Sequence, residues 1–248
     1  LAAAAITPPP SIAKAGKLVY CSDMTYPPEE FFKGTTPTGS DIDIGNAVAQ
    51  AMGVKAEFQN TGFDGIIAAI LSKKCDLIIS GMNDTPTRRK QVDFVDYISV
   101  GQSLMVNKGN PKHITSLAAL AGHSVSVETG TTNRDALAAE SQKLQKAGKK
   151  GIQIVTFPKD TDAAAALKAQ KVDAYFGDSP VVAYYIQLDK SSFEFGGQPI
   201  NPIPVGIAVR KGDPLKAAVQ KAVTQLYANG TMKKILAKWQ MSAFALKK

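Results

Sequence analysis

Short apolar runs of four to six residues alternate along the chain with longer stretches in which apolar positions recur every three or four residues. The first pattern is that of strands and the second that of amphipathic helices. Leu18–Cys21 predicts a strand. Ser40 or Asp41 caps a helix with Ile44, Ala47, Val48 and Ala51 on one face, ending at Gly53. VKAEF at 54–58 is the next strand, Asp64 caps a helix carrying Ile67, Ile70 and Leu71, and DLIIS at 76–80 is a third strand. This order predicts an α/β fold, a mostly parallel sheet covered by helices.

The arrangement then repeats. Leu104–Val106 is a strand, Thr115 or Ser116 opens a short helix, and SVSVE at 124–128 returns to a sheet. A helix from Asn133 to Ala147 ends in basic residues before Gly148, as a helix C-terminus favours. IQIVTF at 152–157, a helix from Thr161 to Gln170, VDAYFG at 172–177 and a helix over Val181–Leu188 follow. GGQPINPIPVG at 196–206 interrupts both patterns and reads as a linker. After the strand GIAVR at 206–210, Asp213 and Pro214 start a helix, Gly230 stops it, and Thr231 opens another with Ile235, Leu236 and Trp239 inward. Trp239 is therefore expected to pack rather than to touch a ligand. Order alone assigns this last piece to neither sheet. Residues 1–15, with prolines at 8, 9 and 10, read as a flexible leader.

Composition narrows the class. Over 248 residues, 44% hydrophobic and 20% charged is globular and excludes a disordered chain. No apolar run reaches the roughly 18 residues of a membrane span. The chain starts at Leu1, so it reads as a fragment or a processed product, which leaves room for a targeting segment, a signal peptide or a lipid anchor, before the numbering begins. Net charge is +8, yet Arg210 to the end holds nine basic residues and one acid, so the rest is balanced. Those lysines are interspersed with an apolar helical repeat, which makes them a solvated helix face and not a nucleic-acid surface. Cys21 and Cys75 are too few for a disulfide scaffold and lack metal-ligand spacing. In neighbouring parallel strands Cys21 lies near the exit and Cys75 near the start. Their α-carbons are then expected to exceed the roughly 7 Å that a disulfide tolerates, leaving both free.

The usual catalytic and phosphate-binding motifs are missing, and His113 and His123 fall in solvated loops. No cofactor or metal is called for. What remains is a set of polar groups at the carboxyl ends of strands, where open α/β sheets bind ligands. Asp23, Met24 and Tyr26 follow the first strand, and Thr61, Gly62 and Phe63 the second. Ser80–Thr85 follow the third, with Arg88 soon after; Glu128–Asn133 and Asp178 hold the same place in the second unit. Singly, each has a plainer reading: Asp23 and Asp84 as turn caps, Arg88 paired with a surface acid, Phe63 as core. Their common placement on two units points to a ligand site.

The chain resembles the periplasmic type II solute-binding proteins of polar amino-acid ABC transporters, the family of the lysine/arginine/ornithine-, histidine- and glutamine-binding proteins. The resemblance rests on LVYCSDMTYPPEEF at 18–31, Gly39–Ser40–Asp41–Ile42–Asp43, FDGIIAAILSKKCDLIISGMNDTPTRRKQVDFVDY at 63–97 and VETGTTN at 127–133, and covers about residues 16–240. It implies a two-lobed clamshell with two interlobe crossovers, lobe 1 being 16–100 plus 206–248 and lobe 2 101–205. It also implies a periplasmic, monomeric protein that closes on an amino acid and presents it to a membrane permease, with no covalent chemistry. By position, Arg88 matches the arginine that clamps the ligand α-carboxylate, a role its planar fork suits. The backbone N–H groups of Asn83 and Thr132 complete that clamp. Asp178 matches the acid that receives the α-ammonium, shared with the Gly81 carbonyl and a group at 83. Thr85 supports the loop, Asn133 the lobe-2 wall, and Tyr26 and Phe63 enclose the ligand side chain.

Position 83 commonly carries Ser or Thr in the family, so Asn83 changes the geometry there, and Gly81 offers only backbone groups. Asp23 matches a first-lobe acid facing the distal end of the ligand, and Glu128 stands where relatives carry leucine or lysine. Two carboxylates approaching one distal group are satisfied by a cation, which predicts arginine, lysine or ornithine, with the stem between Tyr26 and Phe63. Against this stands a Glu128 turned to solvent or paired with a lysine. Glutamine, histidine or another polar amino acid is the alternative ligand, and a dehydratase-type enzyme on the same fold is a remote one.

Overall fold

The computed structural model describes residues 6–246. The expected leader is in large part attached. Residues 1–5 lie outside the described residues, but the Ile6 N–H donates to the Ala51 carbonyl at 3.2 Å and α1 (Pro10–Ala15) follows. Pro10 suits the first turn of a helix, Gly16 closes it in a left-handed conformation, and Ile12 supplies one buried apolar anchor.

Next come β1 (Lys17–Ser22), three short antiparallel strands, β2 (Thr25–Tyr26), β3 (Glu30–Lys33) and β4 (Thr36–Thr38), and α2 (Ser40–Ala51). The small sheet was not foreseen, because strands of two to four residues carrying Glu, Lys and Pro show no alternation. Gly39 is required where it stands: a Cβ there would sit 1.9 Å from the Glu29 carbonyl oxygen. The chain continues with β5 (Lys55–Asn60), a 3₁₀ turn at Phe63–Gly65, α3 (Ile66–Leu71), β6 (Leu77–Ile78), α4 (Pro86–Arg89) and the long β7 (Val92–Asn107). The buried face of α3 is Ile66, Ala69 and Ile70, whereas Leu71, expected inward, is exposed. The 3₁₀ turn starts the α-helix later than a cap at Asp64 implies, and so rotates its face.

Then follow β8 (Ser124–Glu128), α5 (Thr132–Lys146), β9 (Gln153–Phe157), α6 (Asp160–Lys168), β10 (Ala174–Asp178), α7 (Ser179–Leu188) and β11 (Phe193–Phe195). The chain ends with β12 (Ile200–Arg210), α8 (Leu215–Ala228) and α9 (Thr231–Lys238). The expected linker at 196–206 is thus largely strand. Pro202 and Pro204 lack N–H donors but keep their carbonyls, and Pro204 O accepts from Asp84 N at 2.8 Å while Gly206 N donates to Met82 O at 3.0 Å.

Two units result, Leu1–Ser99 with Ile203–Lys248, and Val100–Pro202; the chain passes between them twice, in β7 and in β12. In the first, β1 lies parallel between β5 and β6, and β6 pairs antiparallel with β12. In the second, β10–β8 and β8–β9 are parallel and β7 runs antiparallel to β10 and β11. Each has its own core. Ile66, Ile70, Ile78, Val92 and Phe94 are buried together in the first, and Leu104, Val125, Val127, Leu137 and Phe176 in the second.

Cys21 and Cys75 are disulfide-bonded, with α-carbons 5.7 Å apart, which overturns the expectation of free thiols. That expectation took the chain through 75 as extended. Instead β6 begins only at Leu77, pairing with Tyr20, and residues 72–76 form turns and bends that bring Cys75 back against β1, where Asp76 N donates to Val19 O at 2.8 Å. Trp239 is half-buried, not inward. Its Nε1–H donates to Asp43 at 2.7 Å and its ring meets Phe31 edge-on.

Candidate functional site

In the first unit the predicted residues cluster on the loops that follow β1, β5 and β6. The Asp23 carboxylate is buried and accepts from Thr25 N and Thr25 Oγ1 through Oδ1 and from Phe63 N at 2.7 Å through Oδ2. It therefore ties the loop after β1 to the one after β5. Burial holds its pKa above the ordinary value, partly offset by those hydrogen bonds. Gly81 has a left-handed φ of 50°, and a Cβ there would press to 3.0 Å on the ring of buried Tyr26. Asn83 bridges antiparallel to Val205, and its carbonyl accepts from Arg88 Nη1 at 2.8 Å. Thr85 caps α4, its Oγ1 accepting from Arg88 N, and so presents Arg88 from the first turn of the helix. Arg88 is 8% exposed, and its guanidinium carbon lies 5.3 Å from the Phe63 ring centre. Arg89, not Arg88, forms the ion pair with Asp84.

In the second unit the residues sit where strands give way to helices. Thr131 caps α5, accepting from Arg134 N at 3.2 Å and donating to Glu128 O at 2.8 Å. Thr132 Oγ1 accepts from Gln102 Nε2 at 3.3 Å. Asn133 Nδ2 donates to Asp178 Oδ1 at 3.0 Å, and Asp178, which ends β10 and precedes α7, is buried. Glu128 is 2% exposed, so it is not turned to solvent. Alternation along β8 places it on the face of Ser126, whose Oγ donates to Ala163 O of α6, and opposite core Val125 and Val127. Its charge also acts on Tyr185, whose phenol is pushed well up by burial first, then by the neighbouring Asp160 and, less, by Glu128.

Sequence reasoning missed a layer beneath the first set. Ser80 Oγ accepts from Asp23 N at 2.9 Å and donates to Glu30 Oε1 at 2.8 Å. Asp41 Oδ2 accepts from Gly81 N at 2.9 Å and from Tyr97 Oη at 2.6 Å. The Gly39–Asp43 motif was visible, but Asp41 read as part of a helix start, and nothing local joined it to residue 81. Among the described residues no group of three or more His, Cys, Asp and Glu is placed to hold a metal, and no helix is long and apolar enough to cross a membrane.

Residues 18–242 match the family model for bacterial extracellular solute-binding proteins, family 3. The chain belongs to that family. As a family 3 protein it is an extracytoplasmic solute-binding protein of transport, not an enzyme, and its two α/β units joined by two crossings are the type II periplasmic-binding fold. It is 28% identical over 225 residues to the arginine-binding extracellular protein ArtP of Bacillus subtilis, covering 90% of this chain and 86% of that one. It is 27% identical over 231 residues to the L-cystine-binding protein TcyJ of Escherichia coli K12, covering 92% and 84%. An ancestral arginine-binding protein solved with arginine is 36% identical with a TM-score of 0.84, covering 90% of this chain and 98% of that one, and it has also been solved with glutamine.

Proposed function

We propose that this protein is the amino-acid-binding component of an ABC transporter, that it takes a cationic amino acid (arginine, lysine or ornithine), and that it delivers it as a monomer to a membrane permease. The carrying observation is Arg88: capped by Thr85, held by the Asn83 carbonyl and stacked on Phe63, its guanidinium is pre-set to receive a carboxylate bidentately. Asn83 and Thr132 N–H groups share the α-carboxylate; Asp178, steadied by Asn133, takes the α-ammonium with the Gly81 carbonyl. Tyr26 and Phe63 hold the aliphatic stem.

For the cation, two buried acids speak. Glu128 at 2% exposure stands in a region that already holds Asp160, so added positive charge is favourable there. Asp23 already takes three hydrogen bonds, yet a carboxylate offers about four acceptor sites, leaving one for a ligand donor. Glutamine is the second reading, supported by the structure of the ancestral relative with that ligand. Calorimetric titration with arginine and citrulline decides between them, since citrulline keeps the shape and loses the charge. Arginine is expected to bind at least about tenfold tighter, a difference of about 1.4 kcal/mol. Equal or tighter citrulline binding removes the cationic assignment and leaves the α-group roles standing.

A further inference from the structure

Glu30 and Asp41 are both fully buried in the first unit, on different elements, β3 and α2. One oxygen of each is spoken for. Glu30 Oε1 accepts from Ser80 Oγ, and Asp41 Oδ2 accepts from the Gly81 N–H and from Tyr97 Oη. The other oxygen of each, Glu30 Oε2 and Asp41 Oδ1, is buried with no donor to satisfy it. Among the described residues the donors that reach these oxygens, Ser80 Oγ, Gly81 N–H and Tyr97 Oη, are neutral, and the charges of Asp41, Glu29 and Asp23 act on Glu30. Two adjacent carboxylates in such surroundings do not both ionise; one keeps its proton and donates it in a hydrogen bond to the other.

We propose that Glu30 and Asp41 share one proton, with Glu30 Oε2 donating to Asp41 Oδ1, and that this proton holds the Gly81 and Asp23 backbone in place for the ligand. A neutral Glu30 satisfies both orphaned oxygens at once, and leaves Asp41 the anion that its two other donors, Gly81 N–H and Tyr97 Oη, require. Burial and the neighbouring Asp41 and Glu29 charges push the Glu30 carboxyl well up, while Asp41, also raised by burial, is eased down by Gly81, Tyr97 and Glu30. The remaining titratable groups facing the pair are Asp23, beyond Ser80, Glu29, next in the chain to Glu30, and Tyr97 of β7, whose phenol burial pushes well up. The charges of Asp23 and Glu29 favour retention of the proton, whereas Tyr97, a neutral phenol, donates to Asp41 and stabilises that carboxylate as the anion of the pair. From Glu30 the hydrogen bonds run through Ser80 Oγ to Asp23 N, and from Asp41 directly to Gly81 N. Glu30 and Asp41 are positioning residues. They act through the two loops that carry Asp23 and Gly81, and this part of the inference rests on the ligand roles proposed above.

Loss of the proton at high pH sets two carboxylates against each other and displaces the 80–81 backbone. The direct test is an NMR pH titration of ligand-free protein carrying labelled carboxyl carbons and amide nitrogens. The Glu30 carboxyl carbon is expected in its neutral-acid position at pH 7, and the Gly81 amide is expected to shift with the same midpoint as that carbon. Glu30→Gln, which keeps an N–H donor and a carbonyl acceptor, is expected to remove that midpoint from Gly81. A Glu30 carboxylate at pH 7, or a Gly81 amide indifferent to the Glu30 titration, overturns the shared proton in the wild type alone, whether or not the variant folds. Arginine affinity is then expected to fall about tenfold per pH unit above the midpoint in the wild type, and to lose that excess slope in Glu30→Gln. Identical slopes in both proteins overturn the positioning role. Absence of arginine binding at every pH counts against the ligand reading, with the pair judged by the carboxyl and amide shifts.

Discussion

The two units place their predicted ligand groups by different means. In the second unit the groups stand at strand-to-helix junctions: Thr131 caps α5 between Arg134 and Glu128, and longer bonds join Asn133 to Asp178 across 45 residues and Thr132 to Gln102 across 30. In the first, the groups lie on loops tied to distant segments. Asp41 reaches Gly81 across 40 residues, Asp23 reaches Phe63 across 40, and Cys21 is covalently tied to Cys75 across 54. Local partners add to these ties at Arg88, capped by Thr85, and at Asp23, which accepts from Thr25. Local capping can be assembled by a helix as it forms, whereas cross-chain ties exist only once the whole sheet is in place. Loops without regular structure can hold side chains accurately when enough such ties converge on them.

The largest expected effect falls on the first unit. Arg88→Ala is expected to weaken every amino-acid ligand by about 2–5 kcal/mol, because a buried carboxylate is left without its partner. Arg88→Lys is expected to restore only part, as a point charge does not reproduce the fork. Calorimetry showing a loss below about threefold for Arg88→Ala removes the residue from the site.

The disulfide sharpens the contrast next. Replacing Cys21 and Cys75 by serine is expected to cost about 2–4 kcal/mol of stability, by freeing a long loop in the unfolded chain. Hydrogen exchange is expected to quicken in β1, α3 and β6 while β8 to β10 stay protected. Equal loosening in both units contradicts the separation of the two sets of ties.

Specificity comes third. Glu128→Gln is expected to reduce arginine affinity by about 1.5–3 kcal/mol and to spare glutamine. Combined with Asp23→Asn the losses are expected to be non-additive if both acids meet one group, which a double-mutant cycle measures. A uniform loss for both ligands makes Glu128 a structural member of the Asp160–Tyr185 region. The smallest effect tests local capping. Thr131→Ala is expected to cost about 1 kcal/mol and to speed exchange only in the first turn of α5.

Much of this protein could be read from its residues in order. Short apolar or alternating runs gave β1 and β8, the 3.6 period gave α2, α5 and α8, and the polar residues after those strands lie on the loops and helix starts that follow them. These features depend on neighbours within a turn or two, where residue type and spacing are sufficient. Tertiary structure decided the rest. It curled residues 72–76 so that Cys75 met Cys21, fastened Ile6 and Ile12 to the first unit, and drew Pro202 and Pro204 into a strand, Pro204 accepting through its carbonyl. It also turned Glu128 toward the α6 face and set Glu30 beside Asp41 beneath Gly81. None of these pairs is local. Each is decided by which distant segment a buried group finds once water has been excluded, and a buried carboxyl or thiol settles only where the assembled fold brings it a partner.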